Sequence, residues 1–163
     1  MSTVETVKYP PLGSVSAGTL RTQDLIPVFL DVLEGYAPET AQDIRHAEDN
    51  RSVFDWLDNA DETDEPEAAE YLLDELFESL GTIAAPYTYF GAHEGDGADF
   101  GYWVSFDSLE EDARARDGVI KINAGDEWPD PMDPSVNYIM EVTDHGNVTL
   151  YGAHDHAEVW SCV

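Results

Sequence analysis

Residues 67–81 read EAAEYLLDELFESLG. Ala69, Leu72, Leu73, Leu76, Phe77 and Leu80 recur at the helical period, which predicts a helix over 67–80 with one apolar face, closed by Gly81. Glu67, Glu70, Asp74 and Glu78 follow the same i+3 and i+4 spacing, so they form a stripe opposite the Leu/Phe face. A helix of this kind needs a layer to pack against, and the rest of the chain indicates what that layer is.

Upstream, TQDLIPVFLDVLEGYAP from Thr22 offers a cap residue and apolar positions at Leu25, Phe29, Val32, Leu33 and Tyr36, with a stop at Gly35 to Pro38. Pro27 fits such a helix only near its first turn. Residues 39–60 predict one or two more helices, with Ser52 as N-cap of VFDWLDNA. After Pro86 the period changes. YTYFGAH and DFGYWVSF flank a Gly-rich turn as a hairpin, with Phe100, Tyr102, Val104 and Phe106 alternating on one face. Ser108 and Glu111 make a capping box for a short helix near 108–117, and strands are expected at VIKIN, VNYIMEVT, VTLYGA and AEVWSCV. The expectation is one α+β domain over 1–163: residues 22–81 mainly helical, residues 87–163 mainly β, the helical layer on a mostly antiparallel sheet.

The 163 residues carry 35 Asp and Glu against 7 Lys and Arg, a formal charge of −28, with enough apolar material (42%) to fill a core. Such a charge keeps a protein soluble but pushes the compact state apart. It also repels nucleic acid and anionic lipid, so the expected partner is basic. The one cysteine, Cys162, can make no intrachain disulfide, and MSTVETVKYPPL lacks the basic and apolar regions of a leader. No apolar run approaches the ~18 residues of a membrane span. The chain is expected to be cytoplasmic, in the host cytoplasm if it is phage-encoded, without a membrane or cofactor requirement.

The acids are concentrated. Residues 59–79 hold nine of them and no Lys or Arg, and 18 acids fall in the 62 positions between Arg51 and Arg114, again with no cation. Over roughly 8,000 Å² of surface expected for this mass, the net charge averages about one per 290 Å², too thin to resemble a nucleic acid. Helix 67–78 focuses it: five acids in eleven steps of ~1.5 Å give about one charge per 4 Å, close to the ~3.4 Å per phosphate of a DNA strand. Like charges at this spacing cost roughly 0.2–0.5 kcal/mol per pair, and no Lys or Arg relieves them. A solvated face, or adaptation of the whole protein to high salt, would also enrich acids, but the latter should spread them evenly.

FGAHEGDGADFGYW and VTDHGNVTLYGAHDH carry His93, Asp96, Asp99, Asp144, His145, His154, Asp155 and His156. Histidines and carboxylates suit a divalent metal. Yet no metal, phosphate-loop or nucleophile motif is present, and EGDG and DHGN equally read as turn chemistry. On a regular strand His154 and His156 would share one side. The pattern Phe90-Gly91, His93, Gly95 to Trp103, then Asp144 to Leu150, resembles one found in small, mostly uncharacterised accessory proteins of bacteriophages and mobile elements. The resemblance covers about the C-terminal half and implies no catalytic residues. It implies a place among gene products that disarm host defences, whose strongly acidic members resemble nucleic-acid mimics.

The expected function is therefore binding, with no catalytic residues: an anti-CRISPR or anti-restriction inhibitor that occupies the basic nucleic-acid-binding surface of a CRISPR effector or restriction enzyme. Glu62, Asp64, Glu65, Glu67, Glu70, Asp74, Glu75 and Glu78 are the contact candidates. Three alternatives are an immunity protein against a basic toxin, a metal-dependent enzyme using His93, Asp96, Asp99, His145 and His154, and a salt-adapted protein of unrelated function.

Overall fold

The structure, a computed structural model, describes residues 8–59, 64–130 and 133–163. Helices dominate its N-terminal part and strands its C-terminal part, an α+β arrangement. The chain forms two compact units, one running through Ala84 and including Phe90–Trp103, the other comprising Ala85–Tyr89 and Val104–Val163.

In the first unit, strand β1 (Gly13–Ser16) precedes α1 (Thr22–Tyr36), α2 (Pro38–His46), a 3-10 turn (Glu48–Asn50), α3 (Arg51–Leu57) and α4 (Ala68–Thr82). The hairpin of β2 (Thr88–His93) and β3 (Asp96–Val104) follows, and β1 adds to it antiparallel in the order β1-β3-β2. α1 and α4 pack together, burying Leu25, Ile26, Phe29, Leu30 and Leu33 against Ala69, Leu72, Leu76 and Leu80. Phe100 and Tyr102 of β3 join this core. Phe29 meets the rings of Phe77, Phe90 and Phe100 edge-on at 5.2–5.8 Å, the geometry aromatic quadrupoles favour. The Tyr102 hydroxyl donates to the Leu80 carbonyl at 2.8 Å, and burial pushes this phenol above its ordinary range. Tyr102→Phe is expected to cost about 1–1.5 kcal/mol in urea unfolding, because the ring stays while a buried carbonyl loses its donor.

Several sequence expectations are corrected in their boundaries. Thr22 is the first helical residue of α1 instead of its cap, and Arg21 stands at the N-cap. Thr19 accepts from the Arg21 amide and donates to Asp24 at 2.6 Å. Pro27 lies six residues into the helix. Its ring is exposed, and as a proline it brings no amide to the Gln23 carbonyl one turn earlier. Ser52 lies inside α3, where the N-cap position is held by Asn50. Asn50 caps nothing: it is buried, and its side-chain amide donates to the Ile44 carbonyl at 3.0 Å. Gly81 sits within α4, which runs to Thr82. β1 is an addition that GSVS, four residues long with Val15 its one apolar side chain besides glycine, does not announce.

In the second unit, α5 (Phe106–Ala115) leads into β4 (Val119–Asn123), β5 (Tyr138–Val142), β6 (Val148–Gly152) and β7 (Glu158–Cys162). Ser105 is the N-cap of α5, so the expected Ser108/Glu111 box falls inside the helix, and Phe106 belongs to its first turn instead of a strand. The sheet runs in the order β4-β5-β6-β7 with antiparallel pairs except for β4 and β5, which are parallel. Parallel neighbours cannot be joined by a tight turn. Residues between Asn123 and Tyr138 make the connection, and Trp128 and Val136 from it pack with Ile120, Ile122, Ile139, Tyr151 and Ala153 as a small core of their own. DHGN closes the turn between β5 and β6, where Gly146 takes φ 83° and the Thr143 amide donates to Asn147.

Candidate functional site

The helical face that packing does not use on α4 is the acidic one. Ala69, Leu72, Leu76 and Leu80 are buried, which turns Glu67, Glu70, Asp74, Glu75 and Glu78 outward, all exposed. The segment leading into the helix adds exposed Asp64 and Glu65. Glu62, and Asp61 beside it, lie outside the described residues, as do residues 1–7 of the expected leaderless N-terminus. The structure thus displays seven of the eight contact candidates on one helix and its entry.

None of these seven carboxylates has an ion-pair partner among the described residues. Three of the four Lys and Arg side chains of the same unit are engaged elsewhere: Arg45 reaches Glu34 at 3.1 Å and Asp31 at 3.8 Å, Arg21 reaches Asp24 at 4.0 Å, and Lys8 lies over the Tyr36 ring. The stripe therefore keeps its field, which a cation can meet with charge-assisted hydrogen bonds.

One residue of this surface is absent from the sequence-based set. Tyr71 is 68% exposed and lies one helical turn from Glu67, Asp74 and Glu75. An aromatic face among carboxylates offers an arginine both a stacking surface and a charge partner. Its signal was in the sequence: at about 100° per residue Tyr71 falls about 200° from Ala69 on the helical wheel, among Glu67, Glu75 and Glu78 and opposite the buried 72–76–80 row.

The Gly-Asp-His segments are occupied by local structure. His93 accepts the Gly95 amide at 2.9 Å and meets the Trp103 ring edge-on, and Asp96 accepts the Ala98 amide at 3.0 Å. Asp99 accepts the Ser14 hydroxyl at 2.5 Å, tying β3 to β1. His145 occupies the β5–β6 turn. His154 and His156 do not share a strand face: both fall in the turn between β6 and β7, with His156 at φ 58° and stacked on Trp128. Asp133 is held below the usual carboxylate range by the Ser135 hydroxyl and amide, with His154 adding to the effect. Among the described residues no three His, Cys, Asp or Glu side chains are placed to hold one metal ion. No helix among them is long and apolar enough to cross a membrane.

Fold and surface together define a class: a two-unit α+β protein whose first unit presents a helix of exposed carboxylates with no ion pair among the described residues. No family model, curated protein or solved structure matches the chain.

Proposed function

We propose that this protein is an anionic inhibitor that competes with nucleic acid for a basic channel in a bacterial defence complex, a CRISPR effector or a restriction enzyme, and acts by binding alone. The observation that carries the reading is the α4 stripe: carboxylates at i+3 and i+4 spacing, exposed and without ion-pair partners among the described residues. Channels that track phosphates hold many Lys and Arg, and carboxylates about 4 Å apart along a helix axis present them with a comparable linear charge. Long-range attraction speeds the encounter, and charge-assisted hydrogen bonds hold the complex.

The test is competition. The purified protein should displace DNA or guide RNA from such an effector, with an affinity that falls steeply between about 0.1 and 1 M salt as the screening length shrinks from about 10 to 3 Å. Displacement indifferent to salt would overturn the electrostatic mechanism. A companion measurement separates it from salt adaptation. Circular dichroism melts at low and at multimolar KCl should both be cooperative, since the first unit is organised by a contiguous apolar core. A chain folded only at high salt would owe its acidity to its solvent.

A further inference from the structure

Trp128 comes from the connection between β4 and β5, and His156 from the turn between β6 and β7. Their rings stack at 4.6 Å with planes 24° apart, while Trp128 also rests on Tyr151 at 5.1 Å. His156 takes up this position at φ 58°, where only glycine and a few polar residues sit readily, and the turn is fixed by the His156 amide to the Gly152 carbonyl and the Ala157 amide to Asp155. Trp128 in turn packs on the cluster of Ile122, Val136, Ile139 and Ala153, so the ring pair lies against the small core beneath the connection.

We propose that the Trp128–His156 pair is a pH-sensitive clasp, which tightens the 124–130 segment onto the sheet when the imidazole is protonated and loosens it when the imidazole is neutral. Imidazole is the side chain that changes charge between about pH 5 and 8, and a cation over an indole face is held more strongly than a neutral ring. The charged groups on the elements that meet here are mostly acidic. They are Asp126, Glu127 and Asp130 beside Trp128, Asp133 on the return of the connection, Asp155 within the turn, Glu141 of β5 and Glu158 of β7; His154, next to Asp133, and the Tyr151 phenol are the other titratable groups. Lys121 of β4 is engaged with Glu110 of α5 at 3.1 Å. The sign follows: the added closure is present below the imidazole range and lost as pH rises through it.

Amide hydrogen exchange of the full chain at pH 5.5 and 8.0, corrected for intrinsic rates, tests this. Residues 124–130 and 153–157 should gain about two- to fivefold protection at the lower pH, the factor expected for an exposed cation over an aromatic face. Amides of α4 report the fold in every variant. His156→Asn, which keeps a residue tolerant of positive φ, should abolish that gain. An equal gain in His156→Asn would assign the effect to the carboxylates, and no gain in the unaltered chain would show that protonation does not close the clasp; either result overturns the proposal. Tryptophan emission gives a second readout: acidification should quench it more in the unaltered chain than in His156→Asn, where the His93–Trp103 ring contact remains.

Discussion

Replacing Glu70 and Glu78 by Lys should weaken inhibition about a hundred- to ten-thousandfold while making the protein more stable. The two effects have separate origins. At the partner, each reversal removes an attraction and installs a repulsion; at roughly 1.5–3 kcal/mol per charged hydrogen bond lost, two positions give about 3–6 kcal/mol. Within α4, the same changes turn the Glu67–Glu70, Glu70–Asp74 and Asp74–Glu78 neighbours from like to opposite charges. Each such pair is worth roughly 0.2–0.5 kcal/mol in either sense, so the helix gains about 1–3 kcal/mol. Competition binding and urea unfolding on the same preparation read both. Tyr71→Ala should cost binding without altering charge, since it removes the one exposed aromatic surface of α4. If stability rises and inhibition stays unchanged, the acids are a solvated face and the competition mechanism is wrong.

Gly101→Ala should destabilise the first unit by about 3 kcal/mol, far more than a single methyl suggests. Gly101 is paired with Ser14 where β1 joins β3. A Cβ there would penetrate the carbonyl oxygen of Gly13 and lie 2.8 Å from its carbon and 2.9 Å from the Ser14 Cα. All three are backbone atoms, so no rotamer change relieves the clash and the strand itself must move. Moving it also breaks the Ser14–Asp99 hydrogen bond and uncovers the side of the core that Leu12 and Val15 pack against. Gly97→Ala on the same strand is the control: nothing lies within 4 Å of its Cβ, and its effect should stay within about 0.5 kcal/mol. Equal urea midpoints for the two variants would mean that β1 yields freely.

The ends of the elements show how far local reasoning reaches. Ser52 has the right chemistry for a cap, yet the helix starts two residues earlier, after Asn50, which is drawn into the interior by the Ile44 carbonyl, six residues away. The capping-box spacing of Ser108 and Glu111 is equally legible, but α5 begins at Phe106, directly after Ser105, whose amide donates to the Tyr87 carbonyl at 2.7 Å. In both cases a partner outside the local window moves the boundary. Hydrophobic period survives such shifts because it depends on many residues, whereas a cap depends on one.

The same distinction separates what the residues determine by themselves from what the folded chain decides. The 3.6-residue period is local, so Leu72, Leu76 and Leu80 fix the buried side of α4, and Glu67, Glu70, Asp74 and Glu78 follow on the other side without reference to anything else in the chain. The acidic surface was therefore legible from sequence. β1, the parallel pairing of β4 with β5, and the stacking of His156 on Trp128 were not. Each joins residues far apart in the chain through backbone hydrogen bonds or ring faces that leave no periodic mark, so only tertiary packing could select them.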